Sequence, residues 1–415
     1  MNVRKTLLIL AAGLLLSVVV FGQTPNFSKI VVLGDSFSAG YYNGSLNENT
    51  QPKSCVNLIS KSAGHPLTLP LISFPGIPIA YHLKGFDYVT GYPILALNGT
   101  AMGSLMNMTI QPTNLAVPGQ TSVDCYQKKP VIPPSSLTDL ILGFPSVYIL
   151  GHPPASQVGL ATQLSPTFVI IWIGANDVLG GAMTGNPNLT VPAAAFAQLY
   201  PAIVGTIAQT GAKMVLANIP DVTVVPALGK GSDLAAEGWP IAKFGMGPDD
   251  YATPYSHEHI KLILQGKDPG PLGPGEILHS YDVPKIQAIL EADNQVIAAV
   301  GAQFHAPVVD MHALFNKIKK HGYKLSDGTV LTAEYLGGLF GLDGVHPTTT
   351  GQAVLAKEFI KAINAYYGTN LKVPNIRKVN LSDPEGFRMT GGVLPLNVPA
   401  EMYQEFVSSP SLQQQ

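Results

Sequence analysis

Charge is what this 415-residue chain has least of. Only 12% of its residues are Asp, Glu, Lys or Arg, against about 25% in an ordinary soluble domain. The net charge is −2. With no basic surplus to neutralise phosphates, nucleic acid is not an expected partner. Cysteine is almost missing: Cys55 and Cys125 alone exclude a disulfide-dense scaffold and a four-cysteine zinc site. There is no Walker loop, and no Gly-x-Gly-x-x-Gly follows a strand-like run.

Apolar residues make up 46% of the chain, and 42 glycines and 35 prolines punctuate it. This is enough apolar content for a large core, with long ordered loops around it. Arg4 and Lys5 precede an apolar run from Thr6 to Phe21, and Gly22 follows. Sixteen residues make roughly 24 Å of helix, short of the roughly 30 Å core of a bilayer. Residues 1–22 are thus expected to be a secretory signal peptide. The mature chain is expected to be secreted or periplasmic, with no integral membrane segment after signal removal.

Strand-like runs recur at Lys29–Leu33, Asn114–Val117, Phe168–Ile173, Met214–Ile219 and Pro307–Met311. Most are nearly continuous in apolar residues, as parallel strands buried on both faces are. Between them lie helical stretches near 54–64, 155–163, 192–210, 284–301 and 348–366. Alternation of this kind predicts α/β architecture with a central parallel sheet, whose active site lies beyond the carboxyl ends of the strands. Three stretches, 66–112, 126–155 and 226–282, are inserted loops on one domain spanning 23–370. Residues 371–415 form a C-terminal extension.

Three polar segments fall at those strand ends, and a fourth lies in the loop near the end of the domain. Gly34-Asp35-Ser36-Phe37 follows the first strand. A serine hydroxyl needs an adjacent base to act as a nucleophile, although Ser36 alone could equally cap a helix. Asp343-Gly344-Val345-His346-Pro347 supplies such a base. An Asp three residues before a His can hold its second ring nitrogen and fix the tautomer. Asn114-Leu115-Ala116-Val117-Pro118-Gly119 offers the Gly119 N–H, and Gly174-Ala175-Asn176-Asp177 offers the Asn176 amide. With the Ser36 N–H, these donors could form an oxyanion hole. Asp35 and Asp177 read as structural, holding the loops of their neighbours. Asn43 and Asn98 head glycosylation sequons. His257-Glu258-His259 reads as a solvated loop, since Lys261 occupies the place where a His-Glu-x-x-His metal motif needs histidine.

Together the four segments resemble the four signature blocks of the GDSL, or SGNH, serine esterase and lipase family, with Phe37 where the family often has Leu. The resemblance spans roughly residues 28 to 366. It implies a flavodoxin-like three-layer α/β/α sandwich and hydrolysis of a small-molecule or lipid carboxylic ester with no metal or cofactor. It places the triad on Ser36, Asp343 and His346, and the oxyanion hole on Ser36, Gly119 and Asn176. The rival serine fold, the α/β-hydrolase, needs Gly-x-Ser-x-Gly, and no serine here has glycine on both sides at that spacing. A carbohydrate O-deacetylase is the nearest alternative. A catalytically silent binding module would be expected to have lost one of these residues, and none is lost.

Two expectations concern the periphery. Export favours a disulfide between Cys55 and Cys125. The insert 66–112, with Phe74, Ile77, Ile79, Tyr81, Leu95, Leu97, Met102, Leu105, Met106 and Met108, reads either as an acyl pocket or as a satellite core packing its own loop.

Overall fold

The computed structural model describes residues 24–86 and 93–384; the expected signal peptide lies outside the described residues. Strands β1 (Ile30–Gly34), β2 (Phe168–Trp172), β3 (Lys213–Ala217) and β4 (Val308–Val309) form a parallel sheet in that order. The first two pair in register from Ile30 opposite Phe168 to Gly34 opposite Trp172. Every residue of β1 and β2 is buried, which explains their unbroken apolar sequence: both faces are covered by helices. The Asn114 segment lies along the outer edge of β1. There the Val32 N–H donates to Thr113 O (2.9 Å), and the Leu115 N–H to Val32 O (3.1 Å). Counting this segment, the spatial order is second, first, third, fourth, fifth, which is the flavodoxin-like order with its switch point beside β1.

That switch divides the helices. Cys55–Ser62 packs on Thr349–Tyr367, which covers β3 and β4 from one side. Ser122–Gln127, Gln157–Gln163, Ala193–Ala208 and Val283–Gln303 pack against one another on the other side. The stretch Pro187–Ala208 is long and apolar enough to cross a membrane by length and composition. Here its Phe196, Tyr200, Ile203, Val204 and Ile207 face is buried in that helical layer.

The expected Cys55–Cys125 disulfide does not form: both thiols are free and buried. Cys55 belongs to one helical layer and Cys125 to the other, with the sheet between them. A disulfide needs its two Cα atoms within about 7 Å. Burial pushes the Cys55 thiol up to about 12 and raises that of Cys125 as well.

The insert 226–282 carries its own small core. Three short antiparallel strands, Gly229–Lys230, Tyr251–Ala252 and Ile277–Leu278, stand beside Leu234, Phe244, Met246, Ile260 and Ile263. His257-Glu258-His259 is not a solvated loop but opens the helix His257–Leu264. Ile260 and Ile263 bury the inner face of this helix, and His257 is buried with them. His259 stands 2.8 Å from Glu276 and 3.4 Å from Asp268. The insert 66–112 holds the hairpin Tyr81–Phe86/Pro93–Leu97. Leu105 is buried there, but Phe74, Leu97, Met102, Met106 and Met108 lie exposed, so these side chains are not a satellite core. In the C-terminal extension, the helix Ile376–Ser382 packs on Thr349–Tyr367. The Asp383 carboxylate there accepts from both the N–H and the hydroxyl of Thr350, each at 2.7 Å.

One buried charge site runs against the rest of the core. Asp293 lies on the inner face of Val283–Gln303, and neither carboxyl oxygen meets a hydrogen-bond partner among the described residues. Burial, with the nearby Asp177 charge, pushes its pKa up from 3.8 to about 8. A raised acid stabilises the fold while it is protonated. Its contribution is complete below the unfolded pKa of roughly 4 and is lost as pH rises through the folded value. Asp293→Leu, which removes the burdened carboxyl, is expected to raise the melting temperature at about pH 9 and to gain less at about pH 5. Thermal melts across that range check it; a pH-independent difference would refute the assignment.

Candidate active site

The carboxyl end of β1 breaks directly into a single helical turn, Ser36–Ala39. A Cβ on Gly34 would come within 2.6 Å of Ser38 Oγ and 2.8 Å of Trp172 O. Only glycine lets this turn fold back so tightly on the strand end. Asp35 is the N-cap, its carboxylate accepting from the Phe37 N–H at 3.1 Å. The cap position is therefore filled without Ser36, which is the first residue of the turn and is buried. The Ser36 carbonyl closes the turn by accepting from the Gly40 and Tyr41 N–H groups.

His346 is packed against the same turn. Its ring lies 4.7 Å from the Tyr41 ring and 5.8 Å from the Phe37 ring, centroid to centroid. Its Nδ1 is 3.1 Å from Asp343 Oδ2. Since the carboxylate can only accept, Nδ1 carries the proton in this pair. The pair is almost wholly buried, at 1% and 2% side-chain exposure. Asp343 also accepts from the backbone N–H groups of Gly44 (3.1 Å), Val345 (2.9 Å) and His346 (2.8 Å). Burial alone would raise its pKa; the His346 charge and these hydrogen bonds together outweigh burial and hold it below the usual carboxylate value.

The 341–346 loop is fastened from three sides. Asn43 Oδ1 accepts from the Leu342 N–H (2.8 Å), the Tyr335 hydroxyl donates to Leu342 O (2.9 Å), and the Ala227 N–H donates to Gly344 O (3.0 Å). Asn43, which the sequence offered only as a sequon, is thus a buried strut of the site. It also links the site to the insert 66–112, because the Tyr81 N–H donates to Asn43 O at 3.1 Å. Next to it, Leu46 and Ile77 exchange both backbone hydrogen bonds at 3.1 Å.

Gly119 and Asn176 come from the two strand ends that flank β1 on either side. Gly119 turns the chain with φ of 76°, a left-handed value that favours glycine. Asn176 lies in the first turn of Ala175–Met183, and its Nδ2 donates one hydrogen to Gln120 O at 3.0 Å. An amide nitrogen carries a second hydrogen. Asp177 binds the two loops together: its carboxylate accepts from the Ser122 N–H at 2.8 Å and from the Ser122 hydroxyl. Burial pushes Asp177 up to about 7 despite those bonds. The structural reading of Asp35 and Asp177 therefore describes what their carboxylates do.

Asp177→Ala should strand the Ser122 N–H and hydroxyl without an acceptor. The expected cost is about 1–3 kcal/mol per unsatisfied group, with less lost in Asp177→Asn, which keeps one acceptor oxygen. Urea unfolding of the two variants measures this; equal stability of Asp177→Ala and the parent would rule the clamp out.

No curated protein matches the sequence. Among solved structures, the lipase/acylhydrolase from Enterococcus faecalis is similar at 16% identity and a TM-score of 0.35, covering 83% of this chain and 98% of its own. An acetyl xylan esterase from Geobacillus stearothermophilus is similar at 13% identity and a TM-score of 0.36, covering 82% and 96%. The assignment rests on neither of these but on the family model for GDSL-like lipase/acylhydrolase, which matches residues 30–359. The chain belongs to the GDSL-like lipase/acylhydrolase family and is a carboxylic ester hydrolase.

Proposed function

We propose that Ser36, His346 and Asp343 form the catalytic triad of this hydrolase, and that the Ser36 N–H, the Gly119 N–H and the Asn176 amide form its oxyanion hole. The observation that carries the reading is the buried Asp343–His346 pair packed on the turn that presents Ser36. With Nδ1 committed to Asp343, the other ring nitrogen of His346 is the one left to take a proton. Ser36 Oγ attacks the ester carbonyl, and His346 accepts the hydroxyl proton as the tetrahedral oxyanion forms. His346 then returns the proton to the leaving alcohol, which leaves an acyl-serine. Water, deprotonated by the same histidine, attacks the acyl-serine and releases the acid. Asp343, held ionised by its environment, stabilises the imidazolium throughout.

The proposed substrates are esters with an apolar acyl chain. The exposed side chains of Phe74, Leu97, Met102, Met106 and Met108 belong to an insert fastened to the Asn43–Leu46 segment, which also holds Asp343 and Leu342. Residues 1–22, with two cations before an apolar run, support an enzyme that works in the periplasm or outside the cell.

Ser36→Ala and His346→Ala are each expected to lower kcat by roughly 10⁴- to 10⁶-fold, and the double variant should lose little more, because both act in one proton transfer. Steady-state hydrolysis of p-nitrophenyl esters measures this; near-parental turnover by Ser36→Ala would end the triad assignment. On the same ester series, from acetyl to dodecanoyl, kcat/KM should peak at medium chains. Shortening the Met102–Met108 segment should depress the longer esters more than acetate. A strict acetyl preference would instead favour the carbohydrate O-deacetylase.

A further inference from the structure

Three chain segments that are far apart in sequence must meet at the oxyanion hole, and one buried side chain touches two of them at once. Gln157 opens the helix Gln157–Gln163 and is fully buried. Its Oε1 accepts from the Gly34 N–H at 2.9 Å, and its Nε2 donates to Gly34 O at 2.9 Å. The second hydrogen of Nε2 goes to Gln120 Oε1 at 2.5 Å. Gln120 carries the network onward. Its Nε2 donates to Thr138 Oγ1 at 3.1 Å, and its carbonyl accepts from Asn176 Nδ2 at 3.0 Å. Gly34 stands two residues before Ser36, Gln120 directly follows Gly119, and Asn176 is itself a proposed donor. The relay Gly34–Gln157–Gln120–Asn176 therefore passes within two residues of every proposed donor of the hole.

We propose that Gln157 is a positioning residue for the oxyanion hole, setting the spacing of the Ser36, Gly119 and Asn176 donors through Gly34 and Gln120. The proposal rests on the oxyanion-hole reading above. Its chemistry is specific to an amide. The side chain faces one N–H and two oxygens, so it must present one acceptor and two donors, which only Asn and Gln do in a neutral group. Glutamine reaches where the ladder between β1 and its edge segment ends. The Val117 N–H still donates to Gly34 O at 3.1 Å, while the Gly34 N–H is taken by Gln157. Without the amide, the strand end and the Gly119 loop lose their common partner. Oxyanion stabilisation depends on donors held at about 2.7–3.1 Å from one point, and a displacement of about 1 Å can cost 10²-fold.

The test compares Gln157→Ala and the isosteric Gln157→Glu with the parent enzyme on one p-nitrophenyl ester. Gln157→Ala should lower kcat by roughly 10- to 100-fold with KM changed less than about twofold. Inactivation by a phosphonate ester, whose anionic oxygen occupies the same hole, should slow in parallel. Combined with Asn176→Ala, it should add little, since both changes disable one unit. Gln157→Glu puts an acceptor against Gly34 O and Gln120 Oε1. Its activity relative to the parent should therefore recover toward low pH, as protonation returns one donor. This variant decides the question where Gln157→Ala fails to fold. A folded Gln157→Ala with parental kcat, a loss confined to KM, additivity with Asn176→Ala, or a flat pH ratio for Gln157→Glu would each overturn the proposal. These failures are distinct from failure of the triad reading, which Ser36→Ala reports by itself.

Discussion

A carboxylate almost wholly out of water has to be compensated where it stands, and the Asp343–His346 hydrogen bond is where this protein does so. An ionised group out of water is costly unless it is both paired and hydrogen-bonded. Asp343 takes one imidazole N–H and three backbone N–H groups. Those donors come from its own loop and from Gly44, close behind the Ser36 turn. The need to satisfy one charge thus pulls the first and last signature segments together, although about three hundred residues separate them in the chain. Asn43, Tyr335 and Ala227 then fasten the backbone of that loop. Fixing the carboxylate and fixing His346 against the Ser36 turn are the same structural act.

The sheet supplies the other half of the constraint. Because β1 and β2 are buried on both faces, polar side chains can gather only where the strands stop. The switch in strand order beside β1 opens that end, as in other open α/β sheets. Side-chain amides then replace strand pairing there: Gln157 takes over from the ladder at Gly34, and Gln120 and Asn176 continue it across the next two loops. On the other face, Gln352 does a similar task, donating to Phe37 O and accepting from the Cys55 N–H.

Much of this was legible in the sequence, for identifiable reasons. Continuous apolar runs such as Phe168–Trp172 announce buried parallel strands, and all five expected strand positions and all five expected helices appear in the structure. Ser36, Gly119 and Asn176 stood out because their motifs follow strand-like runs, and Asp343 and His346 because an Asp three residues before a His can reach its ring. Gln157, Gln120 and Asn43 did not, since a buried amide acts through backbone atoms brought together only by the fold. The helical insert around His257 was misread for a related reason: the short core that Ile260 and Ile263 complete has partners as distant as Leu234 and Ile277. The Cys55–Cys125 pairing failed on topology. Right-handed crossovers on either side of a switch point send successive helices to opposite faces, a consequence that cysteine spacing does not reveal.

Three buried aspartates stand around the proposed site, and their surroundings separate them. Asp35 is pushed up to about 7 by burial, against which a Phe37 N–H and the His346 charge act only in part. Asp177 is pushed up to about 7 by burial in spite of Ser122, with Asp124 and Asp35 adding to the rise. Asp343 alone is held low, because it has the imidazole in contact and the largest set of backbone donors. Burial acts in the same direction on all three, so the partners decide which carries the charge. The His346 charge lowers both Asp35 and Asp343, but it prevails over burial only at Asp343, whose Oδ2 also meets the ring Nδ1. With Asp35 raised to about 7 and Asp343 held low, Asp343 is the carboxylate that stays ionised beside His346. The environment that assigns the negative charge to one aspartate is thereby what gives His346 a defined tautomer.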